Sequence, residues 1–158
     1  MTPMSRPVCS TLSLTIRRAE CAADIEAAAD IYVRSGTAAF TWRPKGHFNA
    51  ADFKRFAAEE DVWLALLGDA IVGFLSLFRT ENFIHCLYVD PDAQGLGVGR
   101  SLVAHLRRET RRALTLKLDT PNERAIAFYE KTGWIRLRGA DDAGVDEFGI
   151  SWARYRLD

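Results

Sequence analysis

The sequence predicts an α/β (α+β) domain in which a mixed, mostly antiparallel sheet of about seven strands is flanked by about four helices. Two observations lead to this fold class. Residues 61–79 contain two apolar runs around Gly68 and Asp69, which indicates an antiparallel hairpin. Residues 82–119 contain a strand pattern, a glycine-rich loop, an amphipathic helix pattern and a second strand pattern, which indicates a β-α-β unit. A sheet that combines both connections needs helices on both faces.

The length of 158 residues suits a single domain, which we expect over residues 13–158 after a flexible leader over residues 1–12. The formal net charge is zero. Nucleic acids and anionic membranes usually select a basic excess, so we expect neither as a partner. No apolar run approaches the roughly 20 residues of a membrane span. The three cysteines show no paired spacing, which favours reduced thiols in a cytoplasmic protein and no metal site.

The first third of the chain predicts one strand and two helices. Residues 13–19 alternate as a strand does. Residues 22–36 place apolar side chains on one helical face, and Gly36 is the expected end of that helix. A short helix is expected over residues 49–60, with Asn49 as its N-cap.

The last third predicts two more helices between strands. Residues 98–111 carry one apolar stripe, and residues 113–119 follow as a strand. Thr120 and Glu123 form a capping-box pattern, with Pro121 at the first helical position and Gly133 as the C-terminal stop. Two closing strands are expected over residues 134–139 and 148–158.

The stretch VDPDAQGLGVGRSLV (residues 89–103) is the strongest local signal for a ligand. It fails the dinucleotide pattern because Arg100 stands at the third glycine position, and it fails the P-loop pattern because Gln94 replaces a glycine and the lysine is absent. The remaining pattern is Gln94-x-x-Gly97-x-Gly99 before a helix. Free N–H groups at a helix start favour a pyrophosphate, while a glycine-rich turn without a ligand stays the alternative.

A second motif, NERAIAFYEKTGW (residues 122–134), narrows the ligand. Together the two stretches resemble the GNAT superfamily of acyl-CoA-dependent N-acyltransferases. Trp134 stands where that family usually has phenylalanine. The resemblance implies the GNAT fold over nearly the whole chain, acetyl-CoA as the acetyl donor and no metal.

The resemblance also implies a set of residues that bind acetyl-CoA. The Val89 amide would donate to the thioester carbonyl, which is oxyanion-type stabilisation, and Asn122 would bind the pantetheine arm. The expected contacts are Leu87, Tyr88, Val89, Gln94, Gly95, Leu96, Gly97, Val98, Gly99, Arg100, Ser101, Asn122, Phe128, Tyr129 and Lys131.

Two catalytic residues follow from the same resemblance. Tyr129 would be the general acid that protonates the leaving thiolate, because a phenol with a pKa near ~10 is protonated at neutral pH. Many relatives carry a glutamate base where this chain has Phe83, so His85, two residues further, is the candidate base, with a core histidine as the alternative. Strand alternation would turn Cys86 away from His85, as a buried structural thiol. Asp119 is a further candidate base, although a solvated strand-end charge is the simpler interpretation.

The acceptor pocket is expected beside the loop over residues 37–48. Tyr32, Phe40 and Trp42 would form an aromatic wall, or would roof the core instead. The four acidic residues within 138–149 are expected to lie in a solvated hairpin loop, with attraction of a cationic amine as the alternative.

The function expected is direct acetyl transfer from acetyl-CoA to a primary amine of a small molecule or peptide. The alternatives are an acyl-CoA-binding sensor or interaction module with weak or no catalysis, and acetylation of a protein N-terminus or lysine. The resemblance also allows a homodimer.

Overall fold

The computed structural model describes residues 13–158, and the expected leader over residues 1–12 lies outside the described residues. Within the described part, eight strands and four α-helices form. The strands are β1 (Leu14–Arg18), β2 (Asp61–Leu67), β3 (Ala70–Phe78), β4 (Phe83–Val89), β5 (Leu114–Asp119), β6 (Ile135–Arg136), β7 (Ala143–Val145) and β8 (Ser151–Leu157). The helices are α1 (Ala22–Ala39), α2 (Ala50–Ala57), α3 (Val98–Thr110) and α4 (Glu123–Lys131).

All eight strands belong to one sheet with the order β1-β2-β3-β4-β5-β8-β6, and β7 pairs with β8 beside β6. Every pairing is antiparallel except that of β4 with β5. This confirms the predicted mixed, mostly antiparallel sheet with four helices. The eighth strand is β7, which forms inside the segment expected to be a solvated acidic loop.

The helices cover both faces of the sheet, as expected. On one face, α1 and α2 bury Ile31 and Phe53 against Phe74 of β3. On the other face, α3 buries Leu102 and Leu106 in a cluster that also contains residues of α4 and β8. A sheet that is apolar on both faces needs a helical layer on each, because otherwise one apolar face would remain in water.

Gly36 does not end α1, and this prediction is wrong. The helix continues to Ala39, and Gly36 is buried within it. The ring of Phe48 occupies the place of a side chain here, since a Cβ at Gly36 would lie 2.4 Å from two ring atoms. The glycine is therefore needed for close packing, which a helix-punctuation rule cannot detect.

The start of α4 also differs from the predicted capping box. Its N-cap is Asn122, whose Oδ1 accepts a hydrogen bond from the Ala125 amide at 3.1 Å. Thr120 hydrogen-bonds Ser151 of β8 instead, and Pro121 precedes the helix. Gly133 follows the helix with a φ of 97°, in the left-handed region expected of a C-terminal stop.

Candidate active site

The cleft that holds the predicted site begins where β4 and β5 separate. These parallel strands pair at two positions only, Phe83 with Thr115 and Ile84 with Leu116. Beyond them a cleft of about 780 Å³ opens, lined by β4, β5, α1 with its following loop, the glycine loop and α4. A break between two strands exposes backbone groups that a continuous sheet would have paired.

The open edge of β4 presents particular backbone groups to the cleft. The Asp90 amide donates to the Val72 carbonyl at 2.7 Å, and antiparallel residue pairs alternate between bonded and non-bonded positions. Val89 and Leu87, paired with Gly73 and Leu75, therefore direct their N–H groups away from β3 and towards the gap. An extended chain that carries amides can add to such an edge as a strand does.

Two backbone groups on the predicted edge of β4 already have partners within the protein. The backbone of Tyr88 faces β3 because Tyr88 occupies a bonded position opposite Phe74, so backbone pairing to a ligand is not expected from it. The Val89 carbonyl accepts a hydrogen bond from Ser35 Oγ of α1 at 2.9 Å. Ser35 is buried and was not predicted, since nothing in the sequence links it to β4.

The glycine loop has the backbone geometry of an anion cradle. Gly95 and Gly97 adopt φ values of 82° and 77°, which other residues rarely adopt. Gly97 is the N-cap of α3 and supplies no side chain to cap the helix, and the first amide bonded within the helix is that of Ser101. The N–H groups of residues 98–100 consequently remain for a ligand, at the positive end of the helix dipole.

Basic side chains line the cleft near this loop. Arg100, Arg124 and Lys131 all contribute to its wall. Arg124 was not predicted, although its spacing of seven residues from Lys131 places both on the same face of α4. These residues fit a ligand with several phosphates, such as acetyl-CoA.

Most predicted donor contacts line this cleft, and three predicted site residues do not. Leu96 is exposed in the glycine loop, Ser101 lies in the first turns of α3, and Trp42 packs against Phe40 outside the cleft lining. Phe128 lines the cleft next to the glycine loop, since a Cβ at Gly99 would lie 3.6 Å from its ring. Asn122 lines the cleft while it caps α4.

Tyr129 is the buried residue of α4, and it also contributes to the cleft wall. Burial raises the pKa of its phenol above the ordinary value of 10.0, because an anion would be poorly solvated there. Its hydroxyl has no hydrogen-bond partner among residues 13–158. At neutral pH it is therefore a protonated donor without an internal acceptor.

His85 is the extra residue of a β-bulge on β4. Ser76 pairs with Cys86 and Leu77 pairs with Ile84, so His85 has no partner on β3. Regular alternation predicted that the side chains of His85 and Cys86 lie on opposite faces of the sheet, and this prediction is wrong. Because of the bulge, His85 contacts Phe56 of α2 while Cys86 is buried on that same face. Bulges often change the direction of a side chain beside an active site. Burial raises the pKa of the Cys86 thiol, so Cys86 is protonated, as a structural thiol is.

His85 is paired with a carboxylate that the sequence did not indicate. Its Nδ1 lies 2.7 Å from Glu60 Oε1, and the Glu60 side chain is 7 % exposed. The His85 side chain is 40 % exposed and lines the cleft.

The opposite end of the cleft is aromatic. Tyr32 lies edge-on to Phe48 and Tyr88, with ring centroids 5.3 and 5.5 Å away. The ring centroids of Phe40 and Phe48 lie 5.0 Å apart. The cleft wall includes all four aromatic residues: Tyr32, Phe40, Phe48 and Tyr88. Tyr32 and Phe40 therefore belong to both the core and the cleft, so the two predicted alternatives for these residues are compatible.

Trp42 has a different place from the predicted wall. Its indole N–H donates to Asp119 Oδ2 at 2.9 Å, and Arg43 donates to both oxygens of the same carboxylate at 2.9 and 2.7 Å. Arg43 also pairs with Asp146 at 2.6 Å. Asp119 is thus not a solvated charge, and with both oxygens occupied it is unsuited as a base. Asp146, which lies in the segment expected to be solvated, is likewise paired, with Arg43.

Residues 13–158 contain no cluster of three metal-ligating side chains. In the same part of the chain, no helix has both the length and the apolar character needed to cross a membrane.

Comparison with known proteins identifies the family. The model of the acetyltransferase (GNAT) family matches residues 25–134. The peptidyl-lysine N-acetyltransferase YjaB of Escherichia coli is 35 % identical over 105 residues, which cover 66 % of this chain and 67 % of that protein. The solution structure of apo YjaB has a TM-score of 0.73 at 26 % identity and covers 91 % of this chain and 97 % of that one. A mycothiol acetyltransferase of Geodermatophilus obscurus is 40 % identical over 77 residues, 46 % of this chain but only 22 % of that protein.

The chain belongs to the GNAT family of acetyltransferases. It is an N-acetyltransferase that uses acetyl-CoA, as the two sequence motifs predicted.

Proposed function

We propose that the protein transfers the acetyl group of acetyl-CoA directly to a primary amine on an apolar stem, in a small molecule or a peptide. This proposal rests on the lining of the cleft, which is basic near the glycine loop and aromatic beside α1. Free amides and basic side chains mark the end suited to a phosphorylated donor, and aromatic rings with His85 mark the other. The open N–H groups of Leu87 and Val89 lie on β4 between these ends.

In this proposal the chain supplies three groups to the reaction. The Val89 amide stabilises the negative charge that develops on the thioester oxygen. His85 accepts the proton that the amine loses, and Tyr129 donates a proton to the departing thiolate. The raised pKa of the Cys86 thiol argues against a covalent acyl-enzyme, because the neutral thiol is a poor nucleophile.

The acceptor class is supported by the aromatic end and by the relatives. YjaB is named for peptidyl-lysine, and a lysine side chain is an amine on an apolar stem. Aromatic rings such as Phe40 and Tyr32 favour such a stem, and they also attract an ammonium.

The proposal is tested by thiol release from acetyl-CoA against a panel of alkylamines, arylalkylamines, amino acids and lysine peptides. Release is expected with amines on apolar stems and not with alcohols or thiols of the same shape. Tight binding of acetyl-CoA without release to any acceptor would instead favour an acyl-CoA sensor.

Replacement of His85 tests the proposed base. His85→Ala is expected to lower kcat about 100-fold or more, the usual contribution of a general base, while the KM for acetyl-CoA stays within a factor of about two. His105→Ala is the control, because His105 lies on α3 against Trp63 and not in the cleft. Unchanged kcat in His85→Ala would exclude this histidine from the mechanism.

Location and assembly complete the proposal. We expect the enzyme in the cytoplasm, where acetyl-CoA is available. The cysteines agree with this expectation, because both of those in the described residues, Cys21 and Cys86, are free thiols. A homodimer stays a prediction, which sedimentation of the purified chain would test.

A further inference from the structure

Glu60 lies at the end of the segment that joins α2 to β2, outside every motif of the family resemblance. Its Oε1 lies 2.7 Å from His85 Nδ1, and its Oε2 is buried with no hydrogen-bond partner among residues 13–158. Burial of a carboxylate with an unpaired oxygen costs free energy, and an apolar residue would fill the same place at a lower cost. A carboxylate at this position therefore indicates a role other than stability.

The carboxylate determines which nitrogen of His85 carries the proton. A carboxylate oxygen accepts hydrogen bonds, so Nδ1 carries the proton and donates a hydrogen bond to Glu60 Oε1. In the neutral ring the lone pair is then on Nε2. The Phe56 ring lies against the imidazole at a centroid distance of 4.3 Å, tilted by 53°, and Nε2 has no partner among the described residues. The imidazole is therefore held by Glu60 at Nδ1 and by Phe56 while it lines the cleft.

We propose that Glu60 is a positioning residue for acetyl transfer, acting through His85; this rests on the proposed function, in which His85 is the base. The acceptor reacts as the neutral amine, after its ammonium form has lost one proton to water. Nε2 takes a second proton from the acceptor nitrogen while that nitrogen forms its bond to the thioester carbon. The carbon–sulfur bond then breaks, and the sulfur takes a proton from the Tyr129 hydroxyl. His85 returns its proton to water, and Tyr129 regains one from water.

The charge of Glu60 matters in the same step. When His85 becomes an imidazolium, the adjacent carboxylate, whose side chain is 7 % exposed, stabilises the new positive charge. The bulge at His85 makes the pairing with Glu60 possible. Without it, strand alternation would turn either His85 or Cys86 to the opposite face of the sheet.

The test uses the full chain with Glu60→Gln, which keeps the shape and removes the charge. Ring ¹⁵N shifts of His85, with and without acetyl-CoA, are expected to show the Nδ1–H tautomer in the wild type and a smaller fraction of it in the variant, because a neutral amide oxygen accepts more weakly than a carboxylate. With phenethylamine and N-α-acetyl-lysine methylamide as acceptors, kcat is expected to fall about 10- to 100-fold at unchanged KM for acetyl-CoA. Glu59→Gln is the matched control, because Glu59 is exposed beside it.

The outcomes separate this inference from the proposed function. A purely structural Glu60 would lower the unfolding temperature in Glu60→Gln and leave kcat per folded molecule unchanged, which would overturn the inference. An Nε2–H tautomer in the wild type would overturn it as well, whether or not either acceptor reacts. If His85→Ala loses activity while Glu60→Gln keeps it, the base stands and the role of Glu60 falls. If His85→Ala keeps full activity, both assignments fall while acetyl transfer itself stands.

Discussion

Tyr129 packs in the core and is also the proposed general acid. Its ring contacts Trp134 and Phe128 at centroid distances of 5.4 and 5.1 Å, in the cluster beneath α3 and α4. The same burial raises the pKa of the phenol, which keeps the proton on the oxygen throughout the neutral range. A general acid must be protonated before it acts, so burial favours this role.

Tyr129→Phe is expected to lower kcat by about 10²- to 10⁴-fold, because the leaving thiolate loses its proton donor. The unfolding temperature should not fall, since the hydroxyl has no partner among residues 13–158 whose loss would cost stability. Steady-state kinetics and thermal unfolding of the two proteins check both parts. Wild-type kcat in the variant would remove Tyr129 from the mechanism.

At the scale of the element, α1 begins without a conventional cap. Its N-cap, Cys21, makes no side-chain hydrogen bond. Asp24, in the first turn, reaches back to accept from the Glu20 amide at 2.9 Å and from Arg17 at 2.7 and 3.1 Å. One carboxylate thus caps α1 and joins it to β1. The hydrogen bonds from Arg17 are the main reason that the pKa of Asp24 lies well below its ordinary value.

The stability of α1 is therefore expected to depend on pH. Asp24 has a lower pKa in the folded chain than in the unfolded chain, so its contribution is complete above the unfolded value near ~4 and is lost as the pH falls towards the folded value. Asp24→Asn should lower the free energy of unfolding at pH 7 by about 1–2 kcal/mol, a modest figure because Arg17 is 38 % exposed.

Urea unfolding of wild type and Asp24→Asn between pH 7 and pH 3 checks this expectation. The difference between the two should narrow as the pH falls below ~4, because the unfolded wild-type chain then binds a proton at Asp24 that the folded chain binds only at a lower pH. Asp30→Asn, on the exposed face of α1, should show little difference at any pH. A constant difference for Asp24→Asn down to pH 3 would contradict the assignment.

At the scale of the molecule, one arginine joins three distant segments around the cleft. Arg43 lies in the loop after α1, Asp119 ends β5, and Asp146 lies in the turn between β7 and β8. The side chains of Arg43 and Asp119 are 10 % and 13 % exposed. The cluster holds the aromatic end of the cleft against the half of the sheet beyond the gap.

Arg43→Met is expected to destabilise the protein by about 3 kcal/mol, because it leaves a buried carboxylate without its cation. Arg43→Met with Asp119→Asn should recover part of that loss, since the second change removes the unpaired charge. Arg55→Met is the control, because its pair with Asp52 is 77 % and 41 % exposed. Chemical denaturation of the four proteins measures these values, and equal stability of Arg43→Met and Arg55→Met would show that the cluster is not stabilising.

The sequence predicted the fold class, and most of the residues that it assigned to acetyl-CoA line one cleft, whereas Trp42 of the predicted acceptor wall does not. Gly97 and Asn122 lie in contiguous motifs whose spacing reflects local geometry, so pattern reasoning reached them. Gly36 was misread as a stop because its neighbour Phe48 is distant in sequence. Arg124 was missed although helical spacing could have found it.

By itself, the sequence determined the family and the donor, and it predicted the glycine-rich start of α3, because glycine conformations and helix starts depend on neighbouring residues. The tertiary structure alone decided the partners at the acceptor end. Glu60 meets His85 across 25 residues, and Arg43 meets Asp119 across 76. Such pairs depend on strand order, on a bulge that shifts the register by one residue, and on the gap between β4 and β5. No local pattern encodes these features, because they arise when distant elements pack together.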